Sequence, residues 1–240
     1  MSGSQYIALS GLRARVDELD RLASDIANVG TTGYKGGRDT GAVAERPAFS
    51  DTLQTAIDTT YGGSRLDSRS GAIAATGRPL DLAIDGAGFF TVSTPAGPRY
   101  TRDGHFALDA NRQLVTEDDM PVLGTDGKPI TLGPGDAHVD EDGTVWAGTM
   151  QAGRLSIVNF ADPGALTRED GSRLAADGQT ATPVTAPTIR SGSLEQSNVS
   201  VADRLAELTS VSRGFEALQK AMSVLMNDVD GKAIDRLGRT

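Results

Sequence analysis

The apolar residues near the start of the chain follow the spacing of a helix. Within residues 5–28, successive apolar positions are three and four residues apart in alternation, and charged residues fill most positions between them. This spacing matches the a and d positions of a heptad repeat, which predicts one apolar seam along a helix of about 24 residues, roughly 36 Å long. The seam positions are Leu9, Leu12, Val16, Leu19, Ala23 and Ile26.

The end of the chain has the same kind of pattern. Its seam positions are Val201, Leu205, Leu208, Val211, Phe215, Leu218, Met222, Leu225 and Val229. The step from Leu208 to Val211 is one residue short, a stammer that overwinds a coiled coil. Ser200 and Asp203 resemble a capping box at the start of this helix. Because a helix with a narrow apolar seam is rarely stable alone, we expect both seams to serve assembly. A terminal helical hairpin packed on the rest of a monomer is the alternative.

Between the two ends, short apolar or β-branched runs alternate with turn residues. All ten prolines lie between Pro47 and Pro187, and turn pairs such as Asp103-Gly104 and Asp126-Gly127 separate the runs. Short runs at close spacing predict an antiparallel β domain. The predicted fold class is therefore α+β: long N- and C-terminal α-helices forming a coiled-coil-like helical region, with a central, mainly antiparallel β domain.

These patterns suggest four segments. Residues 1–38 form an N-terminal assembly helix and exit loop, residues 39–77 a linker or extended segment, residues 78–190 the central β domain, and residues 191–240 a C-terminal assembly helix. Residues 40–75 fit two interpretations, an amphipathic helical stretch or an extended linker. The apolar positions that allow the helical one are Phe49, Leu53 and Ile57.

The glycine-rich loop TTGYKGGR at residues 31–38 could be taken for a phosphate-binding loop. It follows a helix, however, whereas anion sites precede one. Lys35 and Arg38 complement the negative end of the preceding helix. Asn28 and Gly30 are expected to adopt the left-handed conformation that ends it. The loop is therefore predicted to be a glycine-hinged exit from the helix.

Composition excludes several classes of function. The chain has 32 acidic and 23 basic residues, a net charge of −9 and no cysteine. An acidic surface argues against a nucleic-acid partner, which needs a basic footprint. No apolar run approaches 18 residues, so no transmembrane helix or membrane insertion is expected. The first 20 residues lack the charged-then-apolar order of a cleaved signal peptide, so no ordinary signal sequence is expected.

No catalytic constellation is visible. His105 and His138 lack neighbouring histidines or cysteines at ligand spacing. The acidic cluster at residues 140–143 fails as a calcium loop, since the first and twelfth positions would be His138 and Thr149, and is predicted to be a solvated turn. Trp146 is expected to pack in the β core. We predict no catalytic, metal or cofactor site, no enzyme activity and no small-molecule substrate.

Three segments resemble the bacterial flagellar rod and hook family. The first is the N-terminal heptad helix running into IANVGTTGYK. The second is RPLDLAIDGAGFFTV followed by YTRDGHFALDANRQLVT, and the third is SGSLEQSNVSVADRLAELTSVSRGFEALQKAMSVL. The family's signature positions in the first segment are Asn28, Thr32, Gly33, Tyr34 and Lys35.

The resemblance implies a mechanical function. The terminal helices would pair within a subunit and pack against neighbours into the inner tube of a helical assembly, which grows open because its contacts are heterologous. The rod so formed would transmit torque from motor to hook and enclose an export channel. The implied partners are further copies, other proximal-rod and distal-rod subunits, and the flagellar export apparatus. The implied location is the basal-body rod in the periplasmic space, reached by export without a cleaved signal peptide. There, Tyr34, Lys35 and Arg38 would anchor the exit loop against a neighbour.

Within the family, the motifs RPLD at residues 78–81 and PVLG at residues 121–124 favour the proximal-rod type. A distal-rod or short hook-like axial protein is the alternative. Outside the family, a secreted β-rich adhesin is a further alternative. It would need a signal peptide, and it would not require heptads at both ends. An enzyme would need a catalytic constellation.

Overall fold

The computed structural model describes residues 3–39 and 64–237, which fall into two compact units. The helical unit contains helix α1, Gly3–Ala27, and helix α2, Val201–Leu237. The β unit contains Asn28–Arg38 and Arg65–Val199. Neither described helix is long and apolar enough to cross a membrane.

The two helices of the helical unit, of 25 and 37 residues, pack antiparallel. Asp25, near the end of α1, lies 3.1 Å from the guanidinium of Arg204 near the start of α2. Arg21, one turn earlier in α1, lies 3.8 Å from Glu207, which is further along α2. The contact therefore includes ion pairs as well as apolar side chains.

The buried stripe of α1 differs from the predicted seam. It consists of Ala14, Glu18, Leu22 and Asp25. The predicted seam residue Val16 is 42% exposed and Ala23 is exposed. The predicted seam residues Leu12, Leu19 and Ile26 are half-buried, and the fully buried stripe includes two carboxylates, which a count of apolar residues leaves out.

The β unit is built from many short strands, as its turn-rich sequence favours. The strands, in chain order, are β1 Gly37–Asp39, β2 Ser64–Leu66, β3 Ile73–Ala75, β4 Leu82–Ile84, β5 Phe89–Thr94, β6 Gly97–Thr101, β7 Ala107–Leu108, β8 Leu114–Val115, β9 Ala137–Val139, β10 Thr144–Ala147, β11 Met150–Arg154, β12 Ile157–Asn159, β13 Thr167–Asp170, β14 Arg173–Ala175, β15 Thr182–Pro183, β16 Ile189–Ser191 and β17 Ser193–Glu195. A 3₁₀ turn covers Pro163–Ala165.

The largest sheet has six antiparallel strands in the order β13-β14-β6-β5-β12-β15. Successive side chains of a strand point to opposite faces, so each face packs its own core. Phe90 and Ile157 belong to the larger core, which also holds Phe106. Phe89 and Val158 belong to a second core on the other face.

Smaller sheets complete the β unit. Strands β9, β10 and β11 form a three-stranded sheet in the order β11-β10-β9. Four two-stranded pairs join β1 with β2, β3 with β17, β4 with β16, and β7 with β8. The last strands of the unit, β16 and β17, thus pair with strands that lie more than 100 residues earlier.

The predicted α+β class with a coiled-coil-like helical region is wrong. The described residues form two helices and seventeen short strands, six of which make one sheet in the β unit. The heptad pattern suggested a coiled coil, but the buried stripe of α1 contains two carboxylates, Glu18 and Asp25. An apolar a/d seam is what defines coiled-coil packing, and α1 does not present one to its partner.

Two further expectations concern chain segments beside the first helix. Helix α1 ends at Ala27, but the left-handed backbone conformation occurs at Gly33, not at Asn28 or Gly30. The predicted linker at residues 39–77 falls mainly on residues 40–63, which lie outside the described residues, as do Phe49, Leu53 and Ile57. The four predicted segment boundaries stay predictions.

Candidate interaction site where three sequence motifs meet

A buried ion triad joins the three sequence motifs inside the β unit. Lys35 comes from the loop after α1, Arg102 follows β6, and Glu195 ends β17. The Lys35 ammonium lies 2.5 Å from one carboxylate oxygen of Glu195, and the Arg102 guanidinium lies 3.1 Å from the other. All three residues are less than 5% exposed. We call the triad and the residues bonded to it the motif cluster.

Backbone groups complete the hydrogen bonding of Lys35 and Glu195. The Lys35 ammonium also donates to the carbonyl of Arg69 at 2.8 Å, and the amide of Gly71 donates to Glu195 at 2.9 Å. Burial lowers the pKa of Lys35, and the Glu195 carboxylate opposes that shift. Burial disfavours charged side chains, and the close contacts between Lys35 and Glu195 offset that cost.

Arg102 is fixed by contacts on several sides. It donates to the carbonyls of Ile84 at 3.2 Å and Gly86 at 2.6 Å, and it lies over the ring of Phe89 at 5.4 Å. Burial lowers the pKa of Arg102, an effect that Glu195 opposes. Arg102 thereby links the last strand to the turn between β4 and β5.

Tyr34 and Arg168 form a second contact beside the triad. Tyr34 is completely buried, and the Arg168 guanidinium lies 4.1 Å above its ring. Arg168 also donates to the backbone carbonyl of Lys35. A stacked and hydrogen-bonded guanidinium holds the loop against strand β13.

Gly33 lets the loop backbone approach the β unit closely. Its φ is +66°, and a Cβ there would lie 2.2 Å from the backbone nitrogen of Asp103. The Gly33 amide donates to the carbonyl of Glu195 at 2.8 Å, while the neighbouring Thr32 hydroxyl donates to the Asp103 carboxylate at 2.6 Å. Burial raises the pKa of Asp103, and the hydrogen bond from Thr32 opposes the shift.

Asn198 ties the segment after β17 to the same loop. Its side-chain oxygen accepts from the Gly36 amide at 2.8 Å, and its side-chain nitrogen donates to the carbonyls of Asp67 at 2.8 Å and Arg69 at 3.0 Å. Hydrogen bonds from Arg69 lower the pKa of the Asp67 carboxyl. The motif cluster thus joins four segments of the chain by hydrogen bonds: residues 33–36, 67–71, 102–103 and 195–198.

The structure brings together the predicted signature residues Thr32, Gly33, Tyr34 and Lys35. Asn28 lies half-buried at the end of α1, where its side chain accepts from the Thr31 hydroxyl at 3.2 Å. The sequence did not predict the residues that contact these positions. They are Arg102, Arg168, Glu195 and Asn198. Three of them lie inside the motifs YTRDGH and SLEQSN, but no sequence signal marks Arg168.

The predicted seam residues lie apart from the motif cluster in sequence, on α1 and α2, and their exposure varies. Val211 is buried. The half-buried ones are Leu12, Leu19, Ile26, Leu208 and Phe215, and the exposed ones are Val16, Ala23, Val201, Leu205 and Leu218. Leu9, Met222 and Leu225 lie in the helices, but their side chains are outside the described part of the structure.

The chemistry of the motif cluster is structural in kind. Its charged groups are bonded to one another and to backbone carbonyls rather than directed into an open cleft. In the described residues, no group of three or more His, Cys, Asp or Glu side chains could hold a metal ion. The arrangement fastens the segment that follows α1 to the segment that precedes α2.

Comparison with known proteins matches these segments. The family model described as "Flagellar hook protein FlgE/F/G D1 domain" matches residues 83–147, and the one described as "Flagellar basal body rod FlgEFG protein C-terminal" matches residues 190–234. The flagellar basal-body rod protein FlgF of Caulobacter vibrioides is 33% identical over 245 residues, covering 100% of this chain and 99% of the relative. FlgF of Rhizobium meliloti is 33% identical over 246 residues, covering 99% of each chain.

The basal-body rod protein FlgG of Bacillus subtilis is also similar, at 34% identity over 255 residues, covering 93% of this chain and 95% of the relative. Similarity to these relatives extends over almost the full length of both chains. The matched regions include Arg102 in the first family model and Glu195 in the second. On this evidence, the chain belongs to the family of flagellar basal-body rod proteins.

Proposed function

We propose that this protein is a structural subunit of the bacterial flagellar basal-body rod, of the FlgF or proximal-rod type. The observation that carries the proposal is the similarity to FlgF proteins over the whole chain. The alignment with Caulobacter vibrioides FlgF spans 245 positions for a chain of 240 residues, whereas that with Bacillus subtilis FlgG spans 255 and covers less of the chain. The shorter alignment needs fewer gaps, which favours FlgF over the distal-rod alternative.

Exposed apolar side chains on the helices support a role in assembly. Leu205 is 48% exposed and Leu218 is 39% exposed. They are 13 positions apart, which is about 220° around a helix of 3.6 residues per turn. Their side chains therefore leave α2 on different sides. Contacts of α2 with more than one neighbouring subunit would cover both, as a helical assembly with heterologous contacts requires.

In this proposal the motif cluster works inside the subunit. Lys35, Arg102 and Glu195 are buried among residues of the same chain, so they would set the path of the backbone where each helix joins the β unit. The seam residues of α1 and α2 would then make the contacts between subunits. Torque would pass from neighbour to neighbour through the helices, which would also enclose the export channel.

The remaining parts of the proposal rest on family membership. The partners are further copies of this chain, other rod subunits and, during secretion, the flagellar export apparatus. The mature location is the rod in the periplasmic space, reached without cleavage of a signal peptide. The role is mechanical and not catalytic, with no nucleic-acid or small-molecule partner.

Complementation of a deletion strain tests the proposal. Leu205→Asp and Leu218→Asp place charges on exposed positions, so we expect each variant to remain folded but to lose motility. Electron microscopy of basal bodies should show nothing beyond the innermost rod, both in the deletion strain and with these variants. Gln219→Asp is the matched control, because Gln219 is an exposed polar residue of the same helix, and it should swim.

Two results would count against the proposal. If a strain carrying both leucine changes swam normally, these positions would have no role in assembly. Basal bodies of the deletion strain with a rod but no hook would indicate the distal-rod type. Fluorescence of Trp146 in the purified variants reports on folding of the β unit and separates misfolding from failed assembly.

A further inference from the structure

The outer face of the three-stranded sheet carries Trp146, the one tryptophan of the chain. Its strand neighbours Val145 and Ala147 are buried in the larger core, so Trp146 points to the opposite face and is half-buried. The sequence-based expectation that Trp146 packs in the β core is therefore wrong. Trp146 lies opposite His138 of β9 and Gln151 of β11, both of which are exposed.

The indole of Trp146 is held in one orientation. Its ring lies nearly parallel to the His138 ring, with 7° between the planes and 6.2 Å between the centroids. Its N–H donates to the carboxylate of Asp140 at 2.7 Å. An indole fixed on two sides loses little conformational freedom when it binds a ligand.

Exposed carboxylates surround this aromatic position. Asp140, Glu141 and Asp142 form the turn between β9 and β10, and Asp136 lies just before β9. Asp136 is two positions before His138, the spacing that places side chains on one face of a strand. The one basic side chain in contact with the turn is Arg154, among the residues described, 3.5 Å from Asp142. Asp140 thus contacts the indole, and further carboxylates lie on both sides of β9, beside Arg154 and beside Arg112, which donates to the Gly135 carbonyl at 2.9 Å.

We propose that this face binds arginine or lysine side chains presented by a partner protein. The face of an indole attracts a cation through its quadrupole, and nearby carboxylates add Coulomb attraction and accept hydrogen bonds. Both features select the same charge, which argues for a basic protein segment rather than a neutral sugar. The inference stands on the local geometry and charge, and it does not depend on the rod assignment.

The full-length protein can be titrated with a pentapeptide of sequence Gly-Arg-Gly-Arg-Gly while the fluorescence of Trp146 is followed. We expect a saturable change in emission with a dissociation constant on the order of 1 mM, since exposed cation–π contacts are weak. The same peptide with citrulline in place of arginine keeps the shape and loses the charge, so it should bind at least about 5-fold more weakly. Raising the salt concentration should weaken binding of the arginine peptide more than binding of the citrulline peptide.

Variants that keep the tryptophan locate the binding. Asp136→Asn and His138→Ala should each weaken binding of the arginine peptide about 2- to 5-fold. Asp126→Asn, a change in an exposed turn outside this sheet, should leave binding unchanged.

Three results would each overturn the inference. They are an equal response to the citrulline peptide, a response to chitotetraose instead of the arginine peptide, and an emission change that depends on protein concentration without peptide. The last would assign the face to contact between copies of this chain.

Discussion

At the residue scale, Gly33 shows most directly how sequence dictates local structure. Its positive φ is a conformation that costs other L-residues about 1–2 kcal/mol. Its missing side chain also leaves room for the backbone of Arg102 and Asp103. Gly30, three positions earlier, has open space around a built Cβ and no positive φ. The two glycines of one loop therefore have different reasons to be there.

We predict that Gly33→Ala destabilises the β unit and that Gly30→Ala does not. The first change adds left-handed strain to a steric clash, and we expect the free energy of unfolding to fall by about 2–4 kcal/mol. The second change reduces the conformational freedom of the unfolded chain, so we expect the free energy of unfolding to rise by between zero and about 1 kcal/mol. Urea unfolding of both variants, followed by Trp146 fluorescence, measures the difference. Equal stability of the two variants would show that the close approach at Gly33 carries no cost.

The resemblance to the rod and hook family pointed to Thr32, Gly33, Tyr34 and Lys35 of the motif cluster. Residue types alone excluded a phosphate site, because the loop follows a helix. The partners of these residues were not predictable, because Lys35 and Glu195 are 160 positions apart in the chain. A single sequence carries no information about which distant strand a loop residue will meet. The expected left-handed residues were also misplaced, since Asn28 and Gly30 satisfy the same statistical preference as Gly33.

At the scale of elements, turn chemistry predicted strands better than apolar spacing predicted helix faces. Pro95 and Ala96 connect β5 and β6, as the turn pattern indicates, and the side chain of Asp126 accepts from the Lys128 amide in a tight turn. These signals are local, so the sequence can carry them. The contact face of α1 depends on α2, and Arg204 makes the burial of Asp25 favourable. No periodicity of apolar residues contains that information.

We predict that Asp25→Asn loosens the helical unit far more than Asp17→Asn. Asp25 is completely buried between Arg204 and Arg21, whereas Asp17 is exposed on the same helix. Without the Asp25 carboxylate, both arginines still have Glu207 as a counter-charge but lose a buried ionic hydrogen bond, which costs about 1.5–3 kcal/mol. Hydrogen exchange of the amides in both helices should therefore speed up at least about 10-fold in the Asp25 variant. Unchanged exchange would mean that apolar contacts such as Leu22 hold the helices without the ion pairs.

At the scale of the whole molecule, the motif cluster links distant parts of the chain. The loop after α1 bonds to strand β17 and to Asn198, only a few residues before α2 begins. Strand β17 pairs with β3 and β16 pairs with β4, so both ends of the β unit are built into its early strands. The buried charges favour this geometry, because Glu195 pairs with Lys35 through one oxygen and with Arg102 through the other.

This attachment predicts a large difference between two carboxylate-to-amide changes. Glu195→Gln leaves Lys35 and Arg102 buried without a counter-charge, and we expect the free energy of unfolding to fall by about 3–5 kcal/mol. Asp85→Asn is the matched control, because Asp85 also pairs with an arginine in the β unit, at 2.6 Å from Arg190, but both side chains are more than 40% exposed. An exposed pair contributes at most about 1 kcal/mol.

Urea unfolding curves of the two variants give the comparison, with limited proteolysis at the loop near residue 35 as a local measure. We expect faster cleavage at that loop only in the Glu195 variant, since Lys35 and Gly71 bond to the Glu195 side chain. If the two variants were equally stable, the triad would contribute no more than a surface ion pair. The segments around α1 and α2 would then be held by their backbone pairing alone, and the three motifs would need another physical reason for meeting where they do.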